Sequence, residues 1–377
     1  MTRITADWLT AAPAQRVCAM LDAAGHQAWF VGGCVRNALL GVPVADYDIS
    51  TDARPEKVMD LAEAAGLRTV PTGIDHGTVT VIVDGVPFEI TTFRRDVATD
   101  GRRAVVAFSD DIAEDARRRD FTMNALYCGA DGVVADPLGG LPDLNARRVR
   151  FIEDADRRIR EDYLRILRFF RFHAWYGADG VDPEGLAACA ANVDGIETLS
   201  AERVGQELLK LLAAPDPAPA LASMAACGAL MRVLPGANAA ALAPLVHVEQ
   251  AAGLDPDPLR RFAILGDESD ARRLRLSKQQ ARQIADLRES ETKPGVLGYR
   301  HGAELARDIL AVQGAALGQE VTADQLAEAR AGAGAVFPLH ASDLPHLYGK
   351  ALGDALKRAE SRWIDSGFTL TKDDLLA

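Results

Sequence analysis

A glycine pair that opens a helix, followed one short loop later by two carboxylates at i and i+2, constrains this chain more than any other stretch. Gly32-Gly33 leads into a helical segment over Arg36–Leu40. Gly41-Val42-Pro43 ends that segment, and Ala45–Ile49 reads as a strand carrying Asp46 and Asp48. Residues two apart on a strand share a face, so Asp46 and Asp48 project into one site and Tyr47 points the other way. Two like charges side by side repel unless a cation lies between them. All-oxygen donors favour a hard divalent ion, magnesium above all. Glycine backbone lets a phosphate approach, and a helix N-terminus turns its N–H groups toward it. Metal beside phosphate points to phosphoryl or nucleotidyl transfer.

The elements around this motif alternate between helix and strand. Residues 13–26 read as a helix, Gln27–Val31 as a short strand, and Pro55–Ala65 as a helix capped by Thr51 or Asp52. Thr78–Val83 and Val86–Phe93 flank Asp84-Gly85, the pattern of a β-hairpin. Residues 94–107, rich in Arg, Asp and Gly, predict a mobile loop. Beyond about residue 145 strand patterns vanish, and amphipathic helices follow, broken at Pro215-Asp216-Pro217 and Gly332-Ala333-Gly334.

Composition bears on partners. The net charge of −12 argues against a general nucleic-acid binder, but the charges are unevenly spread. Residues 94–171 carry sixteen basic side chains, all arginine, against fifteen acidic ones, and the arginines cluster as at Arg117-Arg118-Arg119. Arginine is suited to bidentate contacts with phosphate and base edges. Five scattered cysteines without a Cys-x-x-Cys argue against a structural zinc and suit a reducing, cytoplasmic setting. No apolar run is long enough for a membrane span, and the first residues, with Asp7 and Trp8, lack a secretory-signal pattern.

The opening motif resembles that of the class II tRNA nucleotidyltransferase (CCA-adding enzyme) and bacterial poly(A) polymerase family, within the polymerase beta-like nucleotidyltransferases. The matching residues are Gly32, Gly33, Val35, Arg36, Leu39, Leu40, Gly41, Asp46 and Asp48, with Asn37 where the family has Asp. The resemblance implies an α+β chain: a nucleotidyltransferase head with a mixed sheet over 1–144, a helical neck over 145–212, and a helical body and tail over 213–377 that meet RNA. It implies that Asp46 and Asp48 hold two magnesium ions about 3.5–4 Å apart. Glu89 alternates outward between Phe88 and Ile90. Periodicity reads it as an exposed strand residue; the resemblance makes it the third carboxylate of the site.

Arg117–Ala125 resembles the family's Arg-Arg-Asp-Phe-Thr-x-Asn-Ala segment, which implies that Arg119, Asp120 and Asn124 meet the phosphates and ribose of a nucleotide. On its own the segment also reads as a charged helix start capped by Asp120. Residues 161–172 read as one helix. Tyr163, Ile166, Leu167 and Phe170 make its apolar face, and Asp162, Arg165 and Arg168 lie opposite, where an i,i+3 surface ion pair is the alternative. Glu161, Asp162 and Arg165, then Arg168, Arg171 and Phe172, match the family's base-recognition motif. Together with Gly32, Gly33 and Arg36, the arginines Arg165, Arg168 and Arg171 are thus implied to bind nucleotide, with Asp162 and Arg165 reading the edges of CTP and ATP. The implied activity is template-independent addition of CMP and AMP to the 3′ end of tRNA, with no protein partner implied.

Asp136–Leu144 resembles the hinge between head and neck, and Thr198–Arg203 with Glu207–Leu212 the segment after the neck. The rivals are a poly(A) polymerase, a CC- or A-adding specialist, and a catalytically silent RNA-binding protein. Thr72–Gly77 lacks the basic Gly-Arg-Arg-Phe-like signature of the poly(A) enzymes. No Gly-x-Gly-x-x-Gly follows the first strand, which disfavours a dinucleotide-binding dehydrogenase, and no His-Asp dipeptide marks a phosphohydrolase domain.

Overall fold

The structure, a computed structural model, describes residues 2–74, 77–100 and 103–377, without the side chains of 96–100 and 103–106. The chain divides into two units, residues 1–207 with 219–233, and residues 208–218 with 234–377. Among the described residues no helix is long and apolar enough to cross a membrane.

The first unit is built on a seven-stranded mixed sheet in the order β3-β4-β5-β2-β1-β8-β9. Its strands are β1 (Trp29–Val31), β2 (Tyr47–Thr51), β3 (Arg68–Gly73), β4 (Thr78–Val83), β5 (Val86–Thr92), β8 (Tyr127–Cys128) and β9 (Val134–Ala135). One pair, β2 with β5, is parallel; every other pair is antiparallel. The β4–β5 hairpin forms where its pattern predicts. Val79, Val81, Val83, Phe88 and Ile90 are buried, and Asp84 and Gly85 both take positive φ, as a two-residue hairpin turn demands.

Helices α1 (Asp7–Thr10), α2 (Ala12–Ala23), α3 (Gly33–Leu40), α4 (Pro55–Ala64) and α5 (Ile112–Arg117) surround the sheet. Asp111 caps α5 by accepting from the Ala113 N–H. Neither Thr51 nor Asp52 caps α4: its N-cap is Arg54, with no side-chain cap bond, and Pro55 takes the first position, where its missing N–H costs no helical hydrogen bond. The helical part of the unit comprises α6 (Leu141–Asn145), α7 (Ala155–Glu161), α8 (Leu164–Tyr176), α9 (Pro183–Ala191), the start of α10 (Ala201–Leu212), α11 (Ala218–Ala226) and α12 (Ala229–Val233). Ile166, Leu167, Phe169, Phe170 and Phe172 of α8 are all buried, which explains why two phenylalanines sit on the side that also carries its arginines.

Three expectations are corrected. Residues 94–107 are not a loop: β6 (Arg94–Asp100) and β7 (Arg103–Phe108) pair antiparallel as a separate two-stranded sheet, with residues 101 and 102 outside the described residues. Asp46 is not within a strand. The β2–β5 ladder starts at Tyr47 opposite Phe88, and the residue that would face Asp46 is Pro87, which has no N–H to extend the ladder. Residues 161–172 are not one helix. Asp162 is extended (φ −158°, ψ 106°) between α7 and α8, and its Oδ1 accepts from the Leu164 N–H at 3.1 Å.

The second unit is helical among its described residues and includes α13 (Leu242–Ala251) through α21 (Lys372–Leu376). It centres on a buried ion network. Arg260 and Arg261 each donate to Glu249 at 2.9 Å, and Arg260 also donates to Asp308 at 2.9 Å. Arg261 further donates to the Leu212 carbonyl at 2.7 Å, so a fully buried cation closes the last turn of α10. Trp363 packs with Tyr299, Phe337 and Phe368 in a separate apolar cluster.

Candidate active site

The chain turns at Gly32 with φ 70° and ψ −121°, a conformation that favours glycine, and α3 begins at Gly33. A Cβ on Gly32 would lie 3.5 Å from Nη1 of Arg119, so that guanidinium stands directly over the turn. Asp48 lies on β2 at the position paired in register with Glu89 of β5. Asp46 stands exposed one residue before the strand. Tyr47 points the opposite way, stacked between Trp8 and Phe88 with ring centroids 5.4 Å from each. Its packing fixes the facing of the two aspartates.

Electrostatics single out Asp48. Burial first, then the nearby Glu89, push its carboxyl up to about 6; Asp46 adds to the rise and Arg119 opposes it. Like charges crowded around a half-buried carboxylate are what a bound cation would relieve. As placed, the described residues gather no closed set of three His, Cys, Asp or Glu ligands. Asp46, Asp48 and Glu89 nevertheless fit a hard divalent ion as an open, oxygen-only donor set, because magnesium takes one or two carboxylates and completes its shell from water and substrate phosphate.

Arg119 is held by residues that sequence reasoning missed. Its Nε donates to Tyr127 Oη at 3.2 Å, and its Nη2 donates to Ser50 Oγ at 3.2 Å and Asp115 Oδ2 at 3.0 Å. Asp115 is completely buried. Burial pushes its carboxyl up, but Arg119 and Arg118 outweigh that and hold it well below the usual carboxylate range. The only trace in the sequence is the i,i+3 and i,i+4 spacing to Arg118 and Arg119, which reads equally as a surface pair.

Asp120 and Asn124 sit at the base of a second network. Asp120 Oδ1 accepts from Asn124 Nδ2 at 2.9 Å, and its Oδ2 accepts from both Arg168 Nε, at 2.8 Å, and Arg168 Nη2. Asp120 does not cap an α-helix; a single 3-10 turn, Thr122–Asn124, follows it. Arg171 Nε and Glu207 Oε2 lie 2.9 Å apart, an ion pair whose atoms are not aligned as a hydrogen bond.

Arg36 is buried, donating to Asn124 Oδ1 at 2.6 Å, Tyr176 Oη at 2.8 Å and Asn37 Oδ1 at 2.8 Å, with its guanidinium carbon 3.9 Å from the Tyr176 ring centroid. Asn37 in turn donates from Nδ2 to the Pro43 carbonyl at 2.9 Å, a bond that an ionised aspartate there could not give.

Asp162 and Arg165 form ion pairs with other residues, not with each other. Asp162 Oδ2 accepts from Arg203 at 2.6 Å. Arg165 Nη1 donates to Glu161 Oε2 at 2.6 Å and the Arg158 carbonyl at 2.7 Å. Both head groups are therefore anchored, one from α10 and one from α7, on either side of the break between α7 and α8.

Residues 28–150 match the family model described as poly A polymerase head domain, and residues 180–241 the model described as "Probable RNA and SrmB- binding site of polymerase A". The mitochondrial CCA tRNA nucleotidyltransferase 1 of Homo sapiens is 44% identical over 193 residues, 50% of this chain and 44% of that protein. A CCA-adding enzyme of Leuconostoc citreum is 42% identical over 225 residues, 59% of this chain and 54% of that protein. The chain thus spans about half the length of the curated relatives it matches. The crystal structure of the Bacillus stearothermophilus CCA-adding enzyme in complex with CTP superimposes with a TM-score of 0.73 at 26% identity, covering 94% of this chain and 92% of that one.

Proposed function

We propose that the chain is a member of the family of class II CCA-adding enzymes and bacterial poly(A) polymerases, and that it adds CMP and AMP, from CTP and ATP, to the 3′ end of tRNA without a nucleic-acid template. The observation that carries the reading is Asp48, crowded by Glu89 and Asp46 beside the Gly32 turn, with Arg119 standing over that turn.

In this reading Asp46 and Asp48, with Glu89 beside them, hold magnesium, which supplies Lewis-acid activation of the attacking hydroxyl and charge neutralisation at the leaving group. The tRNA 3′-oxygen forms a bond to the α-phosphorus of the nucleotide, the bond from that phosphorus to the bridging oxygen breaks, and pyrophosphate departs with the electron pair. Arg119 receives the triphosphate over the Gly32–Gly33 turn as a fixed cation. Asp120, Asn124 and Arg168 form the polar floor for the ribose, and Arg36 and Arg171 brace that floor. Asp162 and Arg165 face the base: an aspartate acceptor suits the amino groups of cytosine and adenine and opposes the carbonyls of uracil and guanine. Five free thiols, four of them buried, suit the reducing cytoplasm as the setting.

The deciding experiment offers three substrates, tRNA lacking CCA, tRNA ending in CC, and oligo(A), each with single nucleotides. CTP incorporation on the first and ATP incorporation on the second are expected. Extension of oligo(A) with ATP alone would assign a poly(A) polymerase instead, and no incorporation on any substrate would leave an RNA-binding protein.

A further inference from the structure

We propose that Asp115 is a positioning residue for the nucleotide triphosphate, acting through Arg119; the inference rests on the nucleotidyl-transfer reading above. Asp115, itself fully buried, accepts from Arg118 Nε at 2.8 Å, Arg119 Nη2 at 3.0 Å, Tyr127 Oη at 2.8 Å and Ser50 Oγ at 3.3 Å, the bonds from the two hydroxyls lying in the buried interior. The two hydroxyls each pass a bond onward. Tyr127 Oη gives its proton to Asp115 and accepts from Arg119 Nε, and Ser50 Oγ gives its proton to Asp115 and accepts from Arg119 Nη2. Every donor and acceptor in this ring has one consistent direction, and that direction is set by a carboxylate that accepts on every side. An amide at 115 would turn one of those acceptors into a donor facing a donor.

The ring occupies one edge of the Arg119 guanidinium, Nε and Nη2, and turns Nη1 toward Gly32. Ser50 lies two residues after Asp48 on β2, so the ring references Arg119 to the same strand face that carries the carboxylate. Without Asp115 the arginine keeps its charge but loses the direction in which it presents it, and a planar, directional donor depends on that direction.

The test compares CTP with cytidine. Asp115→Asn is expected to raise KM for CTP and weaken CTP binding about tenfold, the scale of a misdirected charge-assisted contact, with cytidine binding unchanged. Tyr127→Phe and Ser50→Ala, which remove one arm each and leave the carboxylate, are expected to weaken CTP about threefold with cytidine again unchanged. If Asp115→Asn does not fold, the two milder variants decide. Variants that fold, by circular dichroism, and bind both ligands as the wild type does would overturn the inference, leaving Asp115 a purely structural ion pair. Equal losses for CTP and cytidine would overturn it as well. A wild-type protein that neither binds nor incorporates CTP would instead defeat the functional reading on which the inference stands.

Discussion

Asp48 and Glu89 stand in register on β2 and β5, the one parallel pair of the sheet, so that two carboxylates are opposed across a single ladder step. Antiparallel strands joined by a tight turn could not bring these two segments together; the β3–β4–β5 meander returns the chain beside β2 from the far side. The result is a concentration of negative charge that folding alone leaves unrelieved, because Arg119 only partly offsets it.

That charge sets a pH dependence. The Asp48 carboxyl is raised from its ordinary 3.8 to about 6, so its contribution to stability is complete below about pH 4 and is lost as pH rises through 6. In metal-free protein this group therefore lowers Tm between pH 5 and 7, and magnesium restores it at pH 7.5 but has little effect at pH 5, where protons occupy the site. Thermal scans with and without magnesium at both pH values check this; a magnesium effect of equal size at pH 5 would contradict it.

Asp46→Ala and Asp48→Ala are expected to reduce incorporation to background while leaving the circular dichroism spectrum intact. Glu89→Gln is expected to lower activity less, and to move the acid limb of the metal effect to lower pH, because it removes a charge that raises the Asp48 carboxyl. Near-normal turnover by Asp48→Ala in magnesium would refute the metal-site assignment.

How far the sequence discloses this site depends on the range of the forces involved. The Gly32 turn, the β4–β5 hairpin and the outward Glu89 follow from local φ preference and alternation, and they were legible. The pairing of β6 with β7 was not, because charged residues interrupt the apolar alternation of both strands. The break at Asp162 has no proline or glycine to announce it. It comes from a side-chain bond to Leu164 and an ion pair with Arg203, forty-one residues away. Asp115 was missed for the same reason: its local partners look like a surface pair, and Ser50, sixty-five residues distant, completes its burial.

Excising residues 95–107 and closing the gap with two glycines is expected to spare addition of the two cytidines more than the final adenosine. Arg94 and Phe108 are paired in the ladder, so a short linker between them leaves the main sheet unstrained. The excision removes the two-stranded sheet whole, so any part it plays in reshaping the base pocket between the second cytidine and the adenosine is lost with it. Equal loss of CMP and AMP incorporation, measured on tRNA lacking CCA and tRNA ending in CC, would count against that role.

Tyr176→Leu is expected to destabilise the first unit by about 2 kcal/mol, the combined scale of a buried cation–π contact and one hydrogen bond. The phenol both accepts from Arg36 and lies under its guanidinium, so the variant leaves a buried cation short of partners. Tyr176→Phe, which keeps the ring, should lose about half as much. Denaturant unfolding followed at equilibrium measures both, and identical losses would show that the stacking contributes nothing.

Base choice at Asp162 is the most discriminating test of the proposed function. Its carboxylate is held by Arg203 through Oδ2 and caps Leu164 through Oδ1, so it is fixed at the break between α7 and α8 rather than swinging on a helix surface. A fixed acceptor can select among bases by geometry. Asp162→Ala should therefore cut kcat/KM for CTP and ATP by about 1–3 kcal/mol in transition-state terms, with much smaller losses for UTP and GTP, so that discrimination relaxes as activity falls. If Asp162 serves only to anchor Arg203 and start α8, all four nucleotides should lose alike. Arg203→Ala separates the two roles further, since it removes the anchor and keeps the acceptor: it should lower activity on CTP with less change in the CTP-to-UTP ratio than Asp162→Ala produces. Steady-state kinetics with each of the four nucleotides on one tRNA supply the comparison, and an unchanged CTP-to-UTP ratio in Asp162→Ala would rule out this aspartate as a reader of the base.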